Sequence, residues 1–190
     1  MESMSIQVEV NVQEHFSQFV ESGISFPDMR VPSQISRPTI ELSICRKNWN
    51  QWFQSWLEIL QPDLSLTQAY ELSLRLTDDT EIQVLNSLYR QQDRPTDVLA
   101  FATLEVDFPQ PEGFSSLPVY LGDIVISVDT AYRQAAEHQH SLEKEIAWLA
   151  SHGLLHLLGW DHPDEHSLTQ MLNQQDILLQ AIDWLCFKQL

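Results

Sequence analysis

Two kinds of hydrophobic pattern alternate along this chain, and their order limits the possible folds more than any other feature of the sequence. In short runs, apolar residues occupy every second position, which is typical of half-buried strands. In longer runs, apolar residues recur every three to four positions, as they do on one face of a helix. Strands are predicted at about 6–12, 40–44, 70–76, 98–104 and 119–127, and helices at about 48–60, 77–90, 128–139, 142–158 and 164–185.

This order of elements predicts a single α/β (α+β) domain in which a small mixed sheet packs against several helices. A chain of 190 residues is long enough for one such core, and its 43% hydrophobic and 19% charged residues exclude an intrinsically disordered protein. Residues 1–38 are predicted to form a strand and a proline-containing insertion, and residues 39–190 the functional domain. The tryptophans at helical spacing in 48–60 are predicted to lie in the core.

The chain is strongly acidic, with 27 acidic and 10 basic side chains and a net charge of -17. Such a surface repels nucleic acids and anionic membranes, so a polyanionic substrate would require a local positive site. The two cysteines, Cys45 and Cys186, provide no disulfide framework, which suits a reducing compartment. No segment resembles a membrane span or a signal peptide, so a cytoplasmic location is expected.

The strongest chemical signal is a histidine cluster toward the C-terminal end. His152 and His156 are four residues apart, so on a helix they project from the same face, one turn apart, and can bind one metal ion. Gly159 allows the chain to leave the helix, and the turn can return His162 over the same face. A lone histidine is usually a structural residue. Three at this spacing, with no cysteine nearby, favour a zinc-type site with water in the fourth position.

Three neighbours of these histidines refine the interpretation. Gly153 stands where proteases with the motif HExxHxxGxxH carry the glutamate that deprotonates the metal-bound water, so peptide hydrolysis is disfavoured. A metal with three neutral ligands keeps its full charge, which suits the binding of a phosphodiester. Asp161 is expected either to orient a ligand or to favour the N-terminus of the next helix, and His166 is expected to be exposed.

Three sequence blocks resemble those of the YbeY family, the metal-dependent endoribonucleases of ribosomal RNA maturation. Residues 152–162 are similar to the family signature HGxLHLxGYDH, residues 85–101 to LNxxYRxxDxPTDVLSF, and residues 121–126 to LGDIVI. Trp160 replaces the usual Tyr and Ala100 the usual Ser, and neither is a predicted ligand. The N-terminal third of the chain matches the family only weakly.

The resemblance implies a mostly parallel sheet and one Zn²⁺, or another divalent metal ion, held by His152, His156 and His162. It also implies a single-strand-specific, zinc-dependent endoribonuclease for maturation and quality control of small-subunit ribosomal RNA, with a catalytic arginine at Arg90. The implied partners are ribosomal RNA and the small ribosomal subunit, with ribosomal proteins or an assembly GTPase as further candidates. Whether the attacking oxygen belongs to water or to the RNA 2′-hydroxyl stays open.

Arg90 has two interpretations from the residues alone. At the end of a helix, its charge interacts favourably with the helix dipole. With Arg94 it also forms the densest positive pair in the chain, and near a metal it can bind a phosphate through two parallel hydrogen bonds. The resemblance favours the second role, and Arg94 is expected at most to contact RNA.

Two competing functions stay open from the sequence. One is a non-enzymatic ribosome-assembly factor with a mainly structural metal, which the acidic surface favours slightly because it attracts basic proteins. The other is a hydrolase of another substrate such as a peptide, against which Gly153 argues.

Overall fold

Nine elements of secondary structure lie in the part of the chain that the computed structural model describes, which is residues 6–15, 42, 44–65, 68–103 and 117–182. The strands are β1 (Gln7–His15), β2 (Ala69–Thr77), β3 (Val98–Ala102) and β4 (Val119–Ser127). The helices are α1 (Arg46–Leu60), α2 (Asp79–Arg90), α3 (Val128–His138), α4 (Leu142–Leu157) and α5 (Glu165–Gln180). The predicted helices and four of the five predicted strands are therefore present, with small shifts at their ends.

The strands form one mixed sheet in the order β1-β2-β4-β3. β1 pairs with β2 and β2 with β4 in parallel, whereas β3 runs antiparallel to β4. The prediction of an α/β domain with a small, mostly parallel sheet is therefore confirmed. β1 comes from the N-terminal segment and pairs with β2 from Gln7 opposite Ala69 to His15 opposite Thr77, so it belongs to the same sheet as the later strands.

The sequence and the structure differ at three places. The predicted strand at 40–44 is wrong at Leu42 and Ile44, which belong to no strand, because Ile44 packs on the core just before α1 without a ladder partner. β3 ends at Ala102, opposite Gly122, whose φ of 134° interrupts the regular strand geometry. α5 ends at Gln180, and the rest of the predicted helix beyond residue 182 lies outside the described residues, as does the proline-containing insertion.

α1 supplies the aromatic part of the core. Trp49, Phe53 and Trp56 are completely buried, as their helical spacing predicts. The rings of Phe53 and Trp56 meet edge to face with centroids 5.0 Å apart, a favourable arrangement. Trp56 also donates a hydrogen bond from Nε1 to the carbonyl oxygen of Leu178 over 2.9 Å, which joins α1 to α5. These tryptophans are therefore core residues.

α4 packs closely on the sheet and presents its histidines on another side. A Cβ atom at Gly153 would lie 2.8 Å from Cγ2 of Ile124 in β4, closer than van der Waals contact allows. Leu154 and Leu155 are completely buried, whereas His152 and His156 are only partly buried. Although α4 is rich in leucine, neither it nor any other helix among the described residues is long and apolar enough to cross a membrane.

Candidate metal centre

His152, His156 and His162 come together in space. The Nε2 atoms of His152 and His156, one turn apart on α4, are 3.1 Å apart. The ring centroid of His162 is 5.5 Å from that of His152 and 5.3 Å from that of His156. One nitrogen of each ring lies within 4.8 Å of those of the other two. The three imidazoles are therefore close enough to share one ion, and their role as ligands remains a prediction.

The turn after α4 returns His162 to the histidine face. Gly159 has a φ of 85°, in the left-handed region that glycine adopts at little cost, and its N–H donates to the carbonyl oxygen of His156 over 3.0 Å. Oδ1 of Asp161 then accepts the backbone N–H of His162 over 2.8 Å. The side chain at the N-terminus of α5 is instead Asp164. Asp161 therefore contacts the backbone of His162 and is not the capping residue of α5, and its role in orienting a ligand stays a prediction.

Gln175 on α5 determines which ring nitrogen of His152 carries the proton and which one has a lone pair available. It is completely buried, its Nε2 donates to the carbonyl oxygen of Trp148 over 3.2 Å, and its Oε1 lies 3.1 Å from Nδ1 of His152. An amide oxygen only accepts, so Nδ1 of His152 carries the proton and Nε2 keeps its lone pair for a metal. Gln175 lies 23 positions from His152 on another helix, so no local pattern in the sequence indicates this contact.

Burial favours the neutral form of His152 and His156, which is the form that binds metals. Burial lowers the pKa of His152, and the neighbouring His162 lowers it further, whereas the hydrogen bond to Gln175 partly opposes the change. Burial also lowers the pKa of His156, with further lowering from the His152 and His162 rings beside it. Only a neutral imidazole nitrogen coordinates a metal ion. The donor set of this site therefore fits a divalent cation at neutral pH.

Arg90 shares a cleft with the histidines. The cleft has a volume of about 320 Å³ and is lined by Arg90, His152 and His156. Its other lining residues are four residues of β3 and three of the turn after α4, namely Val98, Leu99, Ala100, Ala102, Gly159, Trp160 and Asp161. Arg90 and two of the three clustered histidines thus line the same space.

Asn86 fixes the turn that follows Arg90. Its side chain is almost completely buried, and Nδ2 donates to the carbonyl oxygen of Arg94 over 2.8 Å. Its backbone carbonyl accepts the N–H of Gln92 over 3.3 Å. The guanidinium of Arg94 donates to Oε1 of Gln92, and Arg94 is not among the described residues that line the cleft. The two arginines of the predicted pair are therefore separated, with only Arg90 at the histidines.

The structure explains why the protease glutamate is absent. Because Gly153 packs against Ile124 of the sheet, a side chain at this position would be directed at the sheet and would have no space. A glutamate placed there would not face the cleft. The packing of α4 therefore supports the exclusion of a protease-type general base at this site.

Comparison with known proteins identifies the family. The family model described as Endoribonuclease YbeY matches residues 34–183. A protein named Endoribonuclease YbeY from Nostoc sp. (strain PCC 7120 / SAG 25.82 / UTEX 2576) is 53% identical over 177 residues, which cover 93% of this chain and 91% of that protein. A protein of the same name from Trichodesmium erythraeum (strain IMS101) is 63% identical over 135 residues, covering 70% of this chain and 74% of that one. This chain belongs to the YbeY family.

Among solved structures, the solution structure of TM1509 from Thermotoga maritima aligns with a TM-score of 0.46 and 27% sequence identity. The alignment covers 72% of this chain and 81% of that one.

Proposed function

We propose that this chain is a metal-dependent endoribonuclease that cleaves single-stranded RNA in the maturation and quality control of small-subunit ribosomal RNA. The observation that carries the proposal is a cleft lined by Arg90, His152 and His156, the last two of which form a close cluster with His162. Relatives named as endoribonucleases, one of them 53% identical over 93% of this chain, support the reaction class.

Zinc is the proposed cation, and His152, His156 and His162 would hold it. Imidazole nitrogens suit Zn²⁺, and three protein ligands are the number typical of catalytic zinc sites. When bound, such an ion supplies positive charge that polarises a phosphodiester and promotes the deprotonation of water. Because the three donors are neutral, they leave that charge available to a polyanionic substrate.

Arg90 would bind the phosphate at which the RNA is cut. Its planar guanidinium can donate two parallel hydrogen bonds to phosphate oxygens and stabilise the charge that develops as the P–O bond breaks. A chain with a net charge of -17 repels RNA at long range, so the substrate has to be held by local positive charge. Arg90 provides that charge inside the cleft.

The lining of the cleft favours an unpaired strand. Trp160 is 36% exposed and lies on the cleft beside the histidines. An unstacked base can pack on such an indole ring, whereas the bases of a duplex are already stacked on one another. A volume of about 320 Å³ is at the low end of pockets that hold one small ligand, which suits one nucleotide of a single strand.

The proposed setting is the cytoplasm, and the proposed partner is the small ribosomal subunit with its RNA. The net charge of -17 favours contacts with basic ribosomal proteins, which would bring the chain to its substrate in spite of the repulsion from RNA. An assembly GTPase is a further proposed partner, and it rests on the family resemblance alone.

The test is cleavage of a defined, end-labelled single-stranded RNA, and of the same RNA in a duplex, by purified protein with and without EDTA. Arg90→Ala is expected to lower the cleavage rate by about 100-fold or more, because it removes the donors to the reacting phosphate. Arg94→Ala is the matched control, since this arginine is also exposed but lies outside the cleft, and its rate is expected to stay close to that of wild type.

The outcomes separate the parts of the proposal. Equal rates for wild type and Arg90→Ala, or cleavage that EDTA does not reduce, would contradict the assignment. Faster cleavage of the duplex than of the single strand would contradict the strand preference. Products without a 2′,3′-cyclic phosphate would identify water as the attacking group, whereas cyclic ends would identify the 2′-hydroxyl.

The acidic surface favours a second candidate function, a non-enzymatic ribosome-assembly factor whose metal mainly stabilises the cleft. If this candidate is right, replacing a histidine ligand lowers the thermal stability of the protein. The RNA-cleavage rate of the preparation then stays unchanged.

A further inference from the structure

A second group of metal-ligating side chains lies at the other end of α4. His138 is the last residue of α3, His140 lies in the following turn, and Glu145 lies in the first part of α4. One ligand atom of each lies within 4.8 Å of those of the other two. We propose that this α3–α4 cluster, His138 with His140 and Glu145, is a second site for a divalent transition-metal ion such as Zn²⁺.

The carboxylate of Glu145 is buried against two imidazoles. Its side chain is 2% exposed, and Oε2 lies 3.1 Å from Nδ1 of His138 and 2.5 Å from Nε2 of His140. Within the described residues, no lysine or arginine forms an ion pair with it. A buried carboxylate is unfavourable unless positive charge or several hydrogen bonds compensate it. A divalent cation would supply the missing charge.

Asp79, a partly buried carboxylate, shows how this chain balances such a negative charge elsewhere. It accepts hydrogen bonds from the hydroxyls of Ser127 and Thr130 over 2.5 and 2.7 Å, and from the guanidinium of Arg133 over 2.7 Å. Arginine and two hydroxyls thus satisfy Asp79 completely. Glu145 is more deeply buried, and in the described part of the chain its side-chain ion-pair partners are the two histidines alone.

His140 also lacks normal hydrogen bonds. Its Nδ1 is inaccessible to solvent and has no hydrogen-bond partner among the described residues. Its Nε2 is close to Glu145 but outside hydrogen-bond geometry. Buried imidazole nitrogens are nearly always paired, so this arrangement needs an explanation. A cation shared by His140 and Glu145 would satisfy both side chains.

The cluster has a suitable donor set and an open approach. Two histidines and one glutamate are a ligand set that zinc enzymes use. The cluster opens into a cleft of about 400 Å³, which Lys144, Trp148 and Asp176 also line. The side chain of His138 is 59% exposed, so an ion can enter from solvent and keep water as a further ligand.

The two clusters are distinct sites. Glu145 and His152 are seven residues apart on α4, which is about 10 Å along a helix axis. An ion held by His138, His140 and Glu145 would join the end of α3 to the start of α4. The chemistry of this site is therefore structural, and the proposal does not rest on the proposed nuclease activity.

The test is the zinc content of the full-length chain after saturation with Zn²⁺ and removal of free metal, measured by elemental mass spectrometry. Wild type is expected to hold two ions per chain. His140→Asn and His156→Ala are each expected to hold one ion, and the double variant none. His166→Asn, an exposed histidine outside both clusters, is the matched control and is expected to retain two.

A milder variant covers the case in which His140→Asn does not fold, as judged by circular dichroism. His138 is largely exposed, so His138→Asn is expected to fold and to weaken Zn²⁺ binding at the second site by about tenfold or more. A wild-type content of one ion that His156→Ala abolishes and the α3–α4 variants preserve would overturn the proposal. A single ion lost only in the α3–α4 variants would uphold it and contradict the metal centre of the proposed function.

Discussion

The two ends of α4 each lie beside a group of side chains that could hold a metal ion, and the two groups differ in chemistry. At the C-terminal end, His152 and His156, which cluster with His162, line a cleft together with Arg90. At the N-terminal end, two imidazoles surround the buried carboxylate of Glu145. Neutral donors leave the charge of a cation available to a substrate, whereas a carboxylate ligand cancels part of it. Both groups contain histidines, so histidines alone do not distinguish a catalytic metal site from a structural one. The charge of the ligands and the residues around them do.

The largest effect that sharpens this comparison is expected from His156→Ala. Removing a predicted ligand at the C-terminal end should lower the RNA-cleavage rate by about a thousandfold, because the charge of a bound ion is worth several kcal/mol to the transition state. The measurement is single-turnover cleavage of the labelled RNA, with His166→Ala as the exposed control.

The same variant distinguishes the two candidate functions. Loss of cleavage with a retained circular dichroism spectrum supports the nuclease. A large drop in Tm with no change in the cleavage rate would support the assembly factor. Both ends of α4 would then have structural sites, and the proposed difference in their roles would be wrong.

Gln175→Leu tests how the C-terminal site is oriented. Without the amide oxygen, His152 loses the partner that fixes its tautomer, and the Zn²⁺ affinity of this site is expected to fall by about 10- to 100-fold. Gln174→Leu is the matched control, since this neighbouring glutamine is less buried and is expected to leave the affinity unchanged. Competition titration with a chelating dye measures both, and equal affinities of the two variants would contradict the role of Gln175.

Gly153→Ala tests the packing that fixes α4 between its two sites. Its Cβ atom would lie 2.8 Å from the side chain of Ile124, so the free energy of unfolding is expected to fall by about 1–3 kcal/mol. Gly159→Ala has no atom within 4 Å of its new Cβ and strains only the backbone, at about 1 kcal/mol. Urea unfolding of the metal-free protein compares them. A Gly153→Ala variant as stable as wild type would show that α4 can move on the sheet.

Asp79 forms an ion pair with Arg133, whereas Glu145 contacts two histidines instead. Asp79→Asn tests how much the charge of the arginine-paired carboxylate stabilises the fold. Burial raises the pKa of Asp79, but hydrogen bonds from Ser127, Thr130 and Arg133 outweigh it, so the net pKa is lowered. A carboxylate with a lowered folded-state pKa stabilises the protein above its unfolded pKa, about 3.9, and this stabilisation disappears as the pH falls through the folded pKa.

At pH 7, Asp79→Asn is therefore expected to lower the free energy of unfolding by about 1–2 kcal/mol. The difference between wild type and variant should begin to shrink below about pH 4, where Asp79 of the unfolded chain becomes protonated, and should disappear once the pH falls through the lower pKa of the folded state. Denaturant unfolding at a series of pH values measures it. A difference that does not change with pH would show that the charge of Asp79 contributes nothing.

Features that depend on local spacing could be predicted from the sequence. The i, i+4 pair His152 and His156 lies on one face of a helix, and Gly159 forms the turn that returns His162. The α/β class followed from the alternation of patterns, since strand and helix periodicities are local properties. The predicted strand at 40–44 failed because apolar alternation occurs wherever alternate side chains meet a core, with or without a ladder.

Features that depend on packing between distant segments could not be predicted. Gln175 reaches His152 from another helix, and Asn86 on α2 holds the turn that follows Arg90. A glutamine or an asparagine on an amphipathic helix carries no sign of such a partner. The α3–α4 cluster had a local signal, because His138 and His140 flank a helix-ending turn, but the burial of Glu145 between them became visible only in three dimensions.

Anomalous diffraction at the zinc absorption edge, from crystals of the zinc-loaded chain, tests most directly whether the three imidazoles hold one ion. We predict an anomalous peak about 2.0–2.1 Å from one nitrogen each of His152, His156 and His162, next to the cleft that Arg90 lines. Zinc bound elsewhere on the chain, with no peak between these three rings, would contradict the account.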